Sequence, residues 1–210
     1  MTDVPRRANA ALLGAVLAGG ASRRFGSPKW SAELAGRSMG ARAVAALEPN
    51  TRVVVAISSD PAVAGLGVEV RPDLLPGNGP LGAIHTALAC AAERSLEGAF
   101  LLACDLPLVD AELVRALIDA WDGVDAVVPS GARGPEPLCA LDGVSLLAEV
   151  ERALAHGELA VHRLLERARV CGFATERARA LSGIEDPFLN VNTREDHARA
   201  ELALARRAPQ

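Results

Sequence analysis

At 210 residues with a formal net charge of −4, the chain has room for one full-sized hydrophobic core and not for two. Half of it is hydrophobic but only 3% is aromatic; Ala, Leu and Val dominate, which suits close helix-on-sheet packing and argues against disorder. The acidic balance, without a basic stripe of interleaved aromatics, disfavours nonspecific nucleic-acid binding, and no apolar run reaches the length of a membrane span.

Arg6 and Arg7 precede an apolar stretch at 10–18, the outline of a secretory signal. That stretch is short and runs straight into Gly19 and Gly20. It reads instead as a first strand, Leu12–Ala18, with residues 1–10 disordered ahead of it. Its continuous apolarity marks a central parallel strand, buried on both faces. A helix is expected over 37–47, with Met39, Ala43, Val44 and Leu47 on one face, then a second buried strand at Val53–Ile57. Asp60 before Pro61 is an N-cap with proline at the first helical position. A short strand at Val68–Val70 leads into a Pro- and Gly-rich loop, 71–79.

Pro80 opens the next helix, on which Leu81, Ile84 and Leu88 share a face. Ala99–Cys104 is a third central strand and ends at Asp105. Asp110 caps a helix carrying Leu113, Val114, Leu117, Ile118 and Trp121 on its inner side. Strands at Ala126–Val128 and Leu138–Leu141 bracket a loop, Gly131–Pro137, suited to a second substrate site. Helices are expected at 143–155 and 159–168, a strand at Val170–Phe173, and a last helix to about Arg206, capped by Thr193 with Asp196.

Alternating strands and helices make one α/β domain over 1–210, a three-layer sandwich. Its Rossmann-like, mostly parallel sheet carries helices on both faces. Ligands of such sheets bind at the carboxyl ends of the strands. Gly19, Asp105 and Asn190 all fall at or near expected strand ends, so the fold can bring them to one crevice. The four cysteines, at 90, 104, 139 and 171, form no Cys-x-x-Cys pair. Neither a zinc ribbon nor a dithiol site is indicated, and buried reduced thiols in a cytoplasmic protein are expected. The histidines at 85, 156, 162 and 197 have no partner spacing and read as helix-surface residues.

The chemistry concentrates after the first strand. Gly19 and Gly20 are followed within ten residues by Ser22, Arg23, Arg24, Gly26 and Lys29. Glycines let backbone N–H groups approach an anion, and the cations can neutralise a polyphosphate. The pattern is neither a Walker A loop nor Gly-x-Gly-x-x-Gly. Lys29 supplies a compact point charge and the arginines bidentate forks. Asp105, at the end of a buried strand, suits a Mg²⁺ ion bridging nucleotide phosphates. Asn190 and Asn192 alternate along a short segment. If it is a strand, both side chains share a face, able to assist the metal or hold an acceptor phosphate.

The run from Leu17 to Lys29, with Gly79-Pro80-Leu81, Cys104-Asp105-Leu106-Pro107 and Phe188-Leu189-Asn190-Val191-Asn192-Thr193, resembles the molybdenum cofactor guanylyltransferases. The resemblance spans residues 12–200. It implies a Mg²⁺-dependent transfer of GMP from GTP to the phosphate of molybdopterin or its molybdenum-charged form, alongside other proteins of molybdenum cofactor biosynthesis. Nucleotide-binding roles follow for Leu17, Ala18, Gly19, Gly20, Lys29, Asp73 and Asp105, with Asp105 as the magnesium aspartate. Arg24, Lys29 and Asp105 are the catalytic set, and Asn190 with Asn192 the acceptor side. Asp73 becomes a candidate reader of the guanine edge. Phe25, Pro28, Trp30, Ala56 and Ser58 depart from the family's usual residues. They leave open a cytidylyltransferase, or another nucleotidyltransferase acting on a phosphorylated acceptor. A nicotinamide oxidoreductase or a non-catalytic nucleotide-binding protein fits the loop less well.

Overall fold

The computed structural model describes residues 11–19, 28–132 and 134–206. The first ten residues, and Gly20, Ser22, Arg23, Arg24, Phe25 and Gly26 of the glycine–arginine loop, lie outside the described residues.

Strand β1 (Leu12–Leu17) is buried along its whole length. It lies between β4 (Val53–Ile57) and β6 (Gly98–Ala103), parallel to both. Both faces of such a strand need apolar side chains, which is why the run is unbroken. Beyond β4 lies β5 (Glu69–Arg71), also parallel. On the other side β9 (Cys139–Gly143) pairs antiparallel with β6 and with β7 (Ala126–Gly131), and β10 (Val170–Phe173) is parallel to β7. The order is therefore β10-β7-β9-β6-β1-β4-β5. Gly98 faces β9 so closely that a Cβ would stand 2.5 Å from the Asp142 carbonyl oxygen, so no larger residue fits that crossing.

Helices α1 (Met39–Leu47) and α3 (Ala111–Asp119) cover one face, and α2 (Gly79–Glu93) with α4 (Leu147–Ala155) covers the other. Met39, Ala43, Val44 and Leu47 are buried as their spacing predicts. The expected caps form: Asp60 accepts the Ala62 N–H at 2.9 Å and Asp110 the Leu113 N–H at 2.8 Å. Asp60 starts a 3₁₀ helix, Pro61–Leu66, rather than an α-helix. The stretch expected as one helix at 143–155 begins with a 3₁₀ turn, Val144–Leu146, before α4.

Helix α5 (Val161–Arg167) precedes β10, and α6 (Thr175–Ser182) follows it. Sequence periodicity gives little sign of α6, because only Ala178 and Ser182 on it are buried. Two features were missed for the same local reason. A two-residue hairpin, β2 (Glu33–Leu34) and β3 (Arg37–Ser38), is too short to show a period. The Gly131–Pro137 segment is a tight hairpin as well, in which β8 (Gly134–Pro135) folds back on β7. The final helix, α7 (Arg194–Arg206), opens on the predicted box. The Asp196 N–H donates to the Thr193 hydroxyl at 3.1 Å, and the Thr193 N–H donates to the Asp196 carboxylate at 3.0 Å.

Candidate active site

The carboxyl ends of β1 and β6 are tied together by a bond from the Cys104 N–H to the Leu17 carbonyl at 3.2 Å. The Ala18 N–H donates to Ile57 at 3.1 Å, and the Ser58 hydroxyl donates to the Ala18 carbonyl at 3.3 Å. Ser58, singled out only as a departure from the family pattern, thus stitches the start of the loop to the β4 end. With the amide and carbonyl of Ala18 already spent, the end of β1 is fixed against β4.

Lys29 stands across the mouth of this end, on a 3₁₀ turn, Lys29–Ser31. Pro28 sets up that turn, its carbonyl accepting the Ser31 N–H at 3.1 Å. The Trp30 indole N–H reaches Asp60 at 3.3 Å. The departure at Trp30 therefore docks the turn on the β4 side and anchors Lys29.

The Lys29 ammonium donates to the Asp105 carboxylate at 2.8 Å and also to the Asn192 side-chain oxygen. The Asn192 amide in turn donates to the Asn190 side-chain oxygen. Segment 189–192 belongs to no strand, so the alternation expected of a strand does not apply; the two asparagines still meet. The segment is held to β6 by the Val191 N–H donating to the Asp105 carbonyl at 2.8 Å. At its far end the Asp196 carboxylate accepts the N–H groups of Asn192 and Thr193. Burial pushes Asp196 up, but those N–H bonds outweigh it and hold the carboxyl below its ordinary range.

Around this cluster lies a cleft of about 460 Å³ whose walls include Leu17, Gly19, Lys29, Pro80, Asp105 and Asn190. Five residues expected from sequence to form one site (Leu17, Gly19, Lys29, Asp105, Asn190) are thus brought together. Gly79 adopts a left-handed φ of 59°, which turns the chain so that Pro80 reaches the wall. Cys104, also on the wall, stays protonated: burial and the neighbouring Asp105 charge push its thiol up to about 12.

Asp73 does not line this cleft. One of its oxygens accepts the Leu75 N–H at 3.0 Å and the Thr86 hydroxyl at 3.1 Å, so it orders the loop before α2. A two-oxygen clasp of guanine is not what this geometry offers; one oxygen remains for a nucleotide.

The opposite wall holds residues whose part in the site the motifs did not single out. Glu136 and Pro137 come from the β7–β8 hairpin region, and Leu159, Val161 and His162 from the start of α5. The Gly/Pro loop, read from sequence as suited to a second substrate site, contributes Glu136 and Pro137 to this wall. His162 read as a helix-surface residue, and no local signal distinguishes it from the other histidines.

The donor set fits a Mg²⁺ ion shared with a ligand rather than a metal caged by protein alone. Asp105 is a partly exposed carboxylate on the cleft wall, with one oxygen on Lys29. Among the described residues no group of three or more His, Cys, Asp or Glu side chains could hold an ion. Mg²⁺ commonly takes one or two carboxylates and completes its shell with phosphate oxygens and water.

Residues 14–172 match the model of the MobA-like NTP transferase domain. A protein named "Probable molybdenum cofactor guanylyltransferase" from Pelotomaculum thermopropionicum is 36% identical over 191 residues, covering 90% of this chain and 91% of its own. A molybdenum cofactor guanylyltransferase from Cereibacter sphaeroides is 36% identical over 202 residues, covering 94% and 99%. Among solved structures, molybdopterin-guanine dinucleotide biosynthesis protein A from Archaeoglobus fulgidus superposes with a TM-score of 0.74 at 30% identity, covering 92% of this chain and 98% of that one.

Proposed function

Since the chain belongs to the MobA-like NTP transferase family, we propose that it is a molybdenum cofactor guanylyltransferase, moving GMP from GTP onto the phosphate of molybdopterin. The observation that carries the reading is the Asp105–Lys29–Asn192–Asn190 chain of contacts at the carboxyl ends of β1 and β6. An oxygen of the acceptor phosphate attacks the α-phosphorus of GTP. The new O–P bond forms as the bond to the β-phosphate oxygen breaks, and pyrophosphate leaves with that electron pair.

Lys29, held by two partners, presents a fixed positive charge to the triphosphate without reorganising as charge builds. Asn190 and Asn192 place the acceptor phosphate beside it, converting encounter into positioning. Leu17 and Gly19 line the cleft on the side given to the nucleotide, with Ala18 fixing the strand end beside them; Gly20 and Arg24, assigned to the nucleotide from sequence, lie outside the described residues. Asp105 would hold Mg²⁺, and a bound Mg²⁺ would neutralise charge that builds on the triphosphate as pyrophosphate departs.

None of the described helices is long and apolar enough to cross a membrane. The four cysteines are all unpaired, which supports a reducing, cytoplasmic setting.

The test is pyrophosphate release with each of the four nucleoside triphosphates, with and without molybdopterin. Release with GTP that depends on the acceptor is expected. Faster release with CTP, or release indifferent to the acceptor, would overturn the assignment.

A further inference from the structure

Beside the cleft lies a smaller lobe of about 200 Å³, which shares Glu136 and Asn190 with it as common walls. Its other walls include Asp186, Phe188, Leu189, Asp196 and Arg199. Phe188 and Leu189 are buried and give it an apolar side. The lobe starts where the acceptor phosphate is placed, so it receives whatever is attached to that phosphate. It carries three carboxylates against one described guanidinium, a balance that disfavours a second phosphate and favours a neutral ring rich in N–H groups.

Two side chains stand side by side there. The Arg199 guanidinium lies 3.8 Å from the Asp186 carboxylate and 3.7 Å from that of Asp196. Both distances exceed a hydrogen bond, so the arginine bridges the pair without being clasped by either. One oxygen of Asp196 is taken by the Asn192 and Thr193 N–H groups, so it cannot offer a pair of acceptors as Asp186 can. Asp186 and Arg199 together offer two acceptor oxygens followed by N–H donors. A 2-amino-4-oxopyrimidine edge offers the complement: the amino group, the adjacent ring N–H, then a carbonyl.

We infer that this lobe selects the acceptor by its fused 2-amino-4-oxopyrimidine ring, with Asp186 receiving the amino and ring N–H groups and Arg199 donating to the 4-oxo group. The inference rests on the guanylyltransferase reading, which makes the acceptor a pterin phosphate. Guanine carries the same edge, so the chemistry has two sources. The lobe's place on the acceptor side of Asn190 assigns it to the pterin.

The experiment titrates the full chain, saturated with GTP and Mg²⁺, with 6-hydroxymethylpterin phosphate and with its lumazine counterpart, followed by ligand fluorescence. Lumazine has a second carbonyl in place of the amino group and turns an acceptor toward Asp186. The unaltered chain is expected to prefer the pterin by about tenfold or more. Asp186→Asn should bring that ratio close to one while GTP affinity stays within about twofold. Arg199→Met should weaken both ligands and leave their ratio unchanged, because both keep the 4-oxo group. That split is not expected of a merely structural pair.

Equal binding of the two ligands by the unaltered chain, or no binding of either, overturns the inference. So does a preference that survives Asp186→Asn, or one erased by Glu136→Gln instead. A loss of GTP binding in Asp186→Asn as large as the loss of pterin would assign the lobe to guanine and overturn it equally. Transfer of GMP to molybdopterin by the unaltered chain is measured alongside. Transfer without ring preference sinks this inference alone, and ring preference without transfer sinks the guanylyltransferase reading alone.

Discussion

The backbone N–H of Val191 donates to the carbonyl of Asp105 at 2.8 Å. One hydrogen bond thus joins the segment carrying Asn190 and Asn192 to the strand end carrying the proposed metal carboxylate. The Asp105 main chain positions the acceptor side while its side chain, through Lys29, serves the nucleotide side. Disturbing the side chain alone should leave the main-chain link intact, and the first prediction uses that separation.

Asp105→Asn keeps the shape and an oxygen for Lys29 but removes the charge that holds Mg²⁺. Turnover should fall by about a hundredfold or more with the fold retained. Pyrophosphate release near the unaltered rate at saturating Mg²⁺ would falsify the role given to this carboxylate.

Lys29→Ala removes a point charge and a partner of both Asp105 and Asn192. Since its proposed target is phosphate, GTP binding should weaken far more than guanosine binding. Calorimetric titrations of the two ligands make the check, and an equal loss for both would refute the phosphate role.

Asp142 lies on β9, 3% exposed, and burial pushes its carboxyl from 3.8 up to about 7. In the unfolded chain it ionises from near 3.8, whereas the folded chain keeps it protonated until about 7. Its effect on stability is therefore most favourable below the lower value, declines as pH rises between the two, and levels off above the higher one. Asp142→Asn should flatten that decline. Urea midpoints at pH 4 and pH 7.5 measure it; the variant should gain on the unaltered chain only at the higher pH. A gain of the same size at both would mean that titration is not the cause.

The hairpin turn between β2 and β3 places Ala35 at φ 47° and Gly36 at φ 74°. Both are left-handed, as a type I′ turn requires, and alanine pays for its Cβ there. Arg42 clamps the turn from α1, donating to the Leu34 carbonyl at 2.7 Å and to that of Ala35 at 3.2 Å. Ala35→Asn suits this backbone and should stabilise the protein by about 0.5–1 kcal/mol. Thermal unfolding reads the change, and a lowered midpoint would contradict the turn assignment.

The sheet's central strands were legible in the sequence because their signal is local. Leu12–Leu17, Val53–Ile57 and Gly98–Ala103 are apolar without a break, as strands covered on both faces must be. The caps at Asp60, Asp110 and Thr193 were legible for the same reason, each resting on a side chain two or three residues from its donor. The charged and glycine-rich residues at strand ends also pointed to Lys29 and Asp105, which the structure brings into contact. What local pattern could not supply was distance across the chain. Lys29 and Asn192 are 163 positions apart, and no periodicity shows that they touch. His162 is one of four histidines alike in sequence, and only the packing of α5 beside the β7–β8 hairpin brings it to the cleft. Asp73 matched a nucleotide-binding position, yet the hydroxyl of Thr86, two turns into the next helix, claims one of its oxygens. The lobe holding Asp186 and Arg199 exists because the segment between α6 and α7 is pinned to Asp105 by a main-chain bond. Main-chain bonds are open to every residue type and leave no trace in composition or spacing, so that arrangement was decided by the tertiary structure alone.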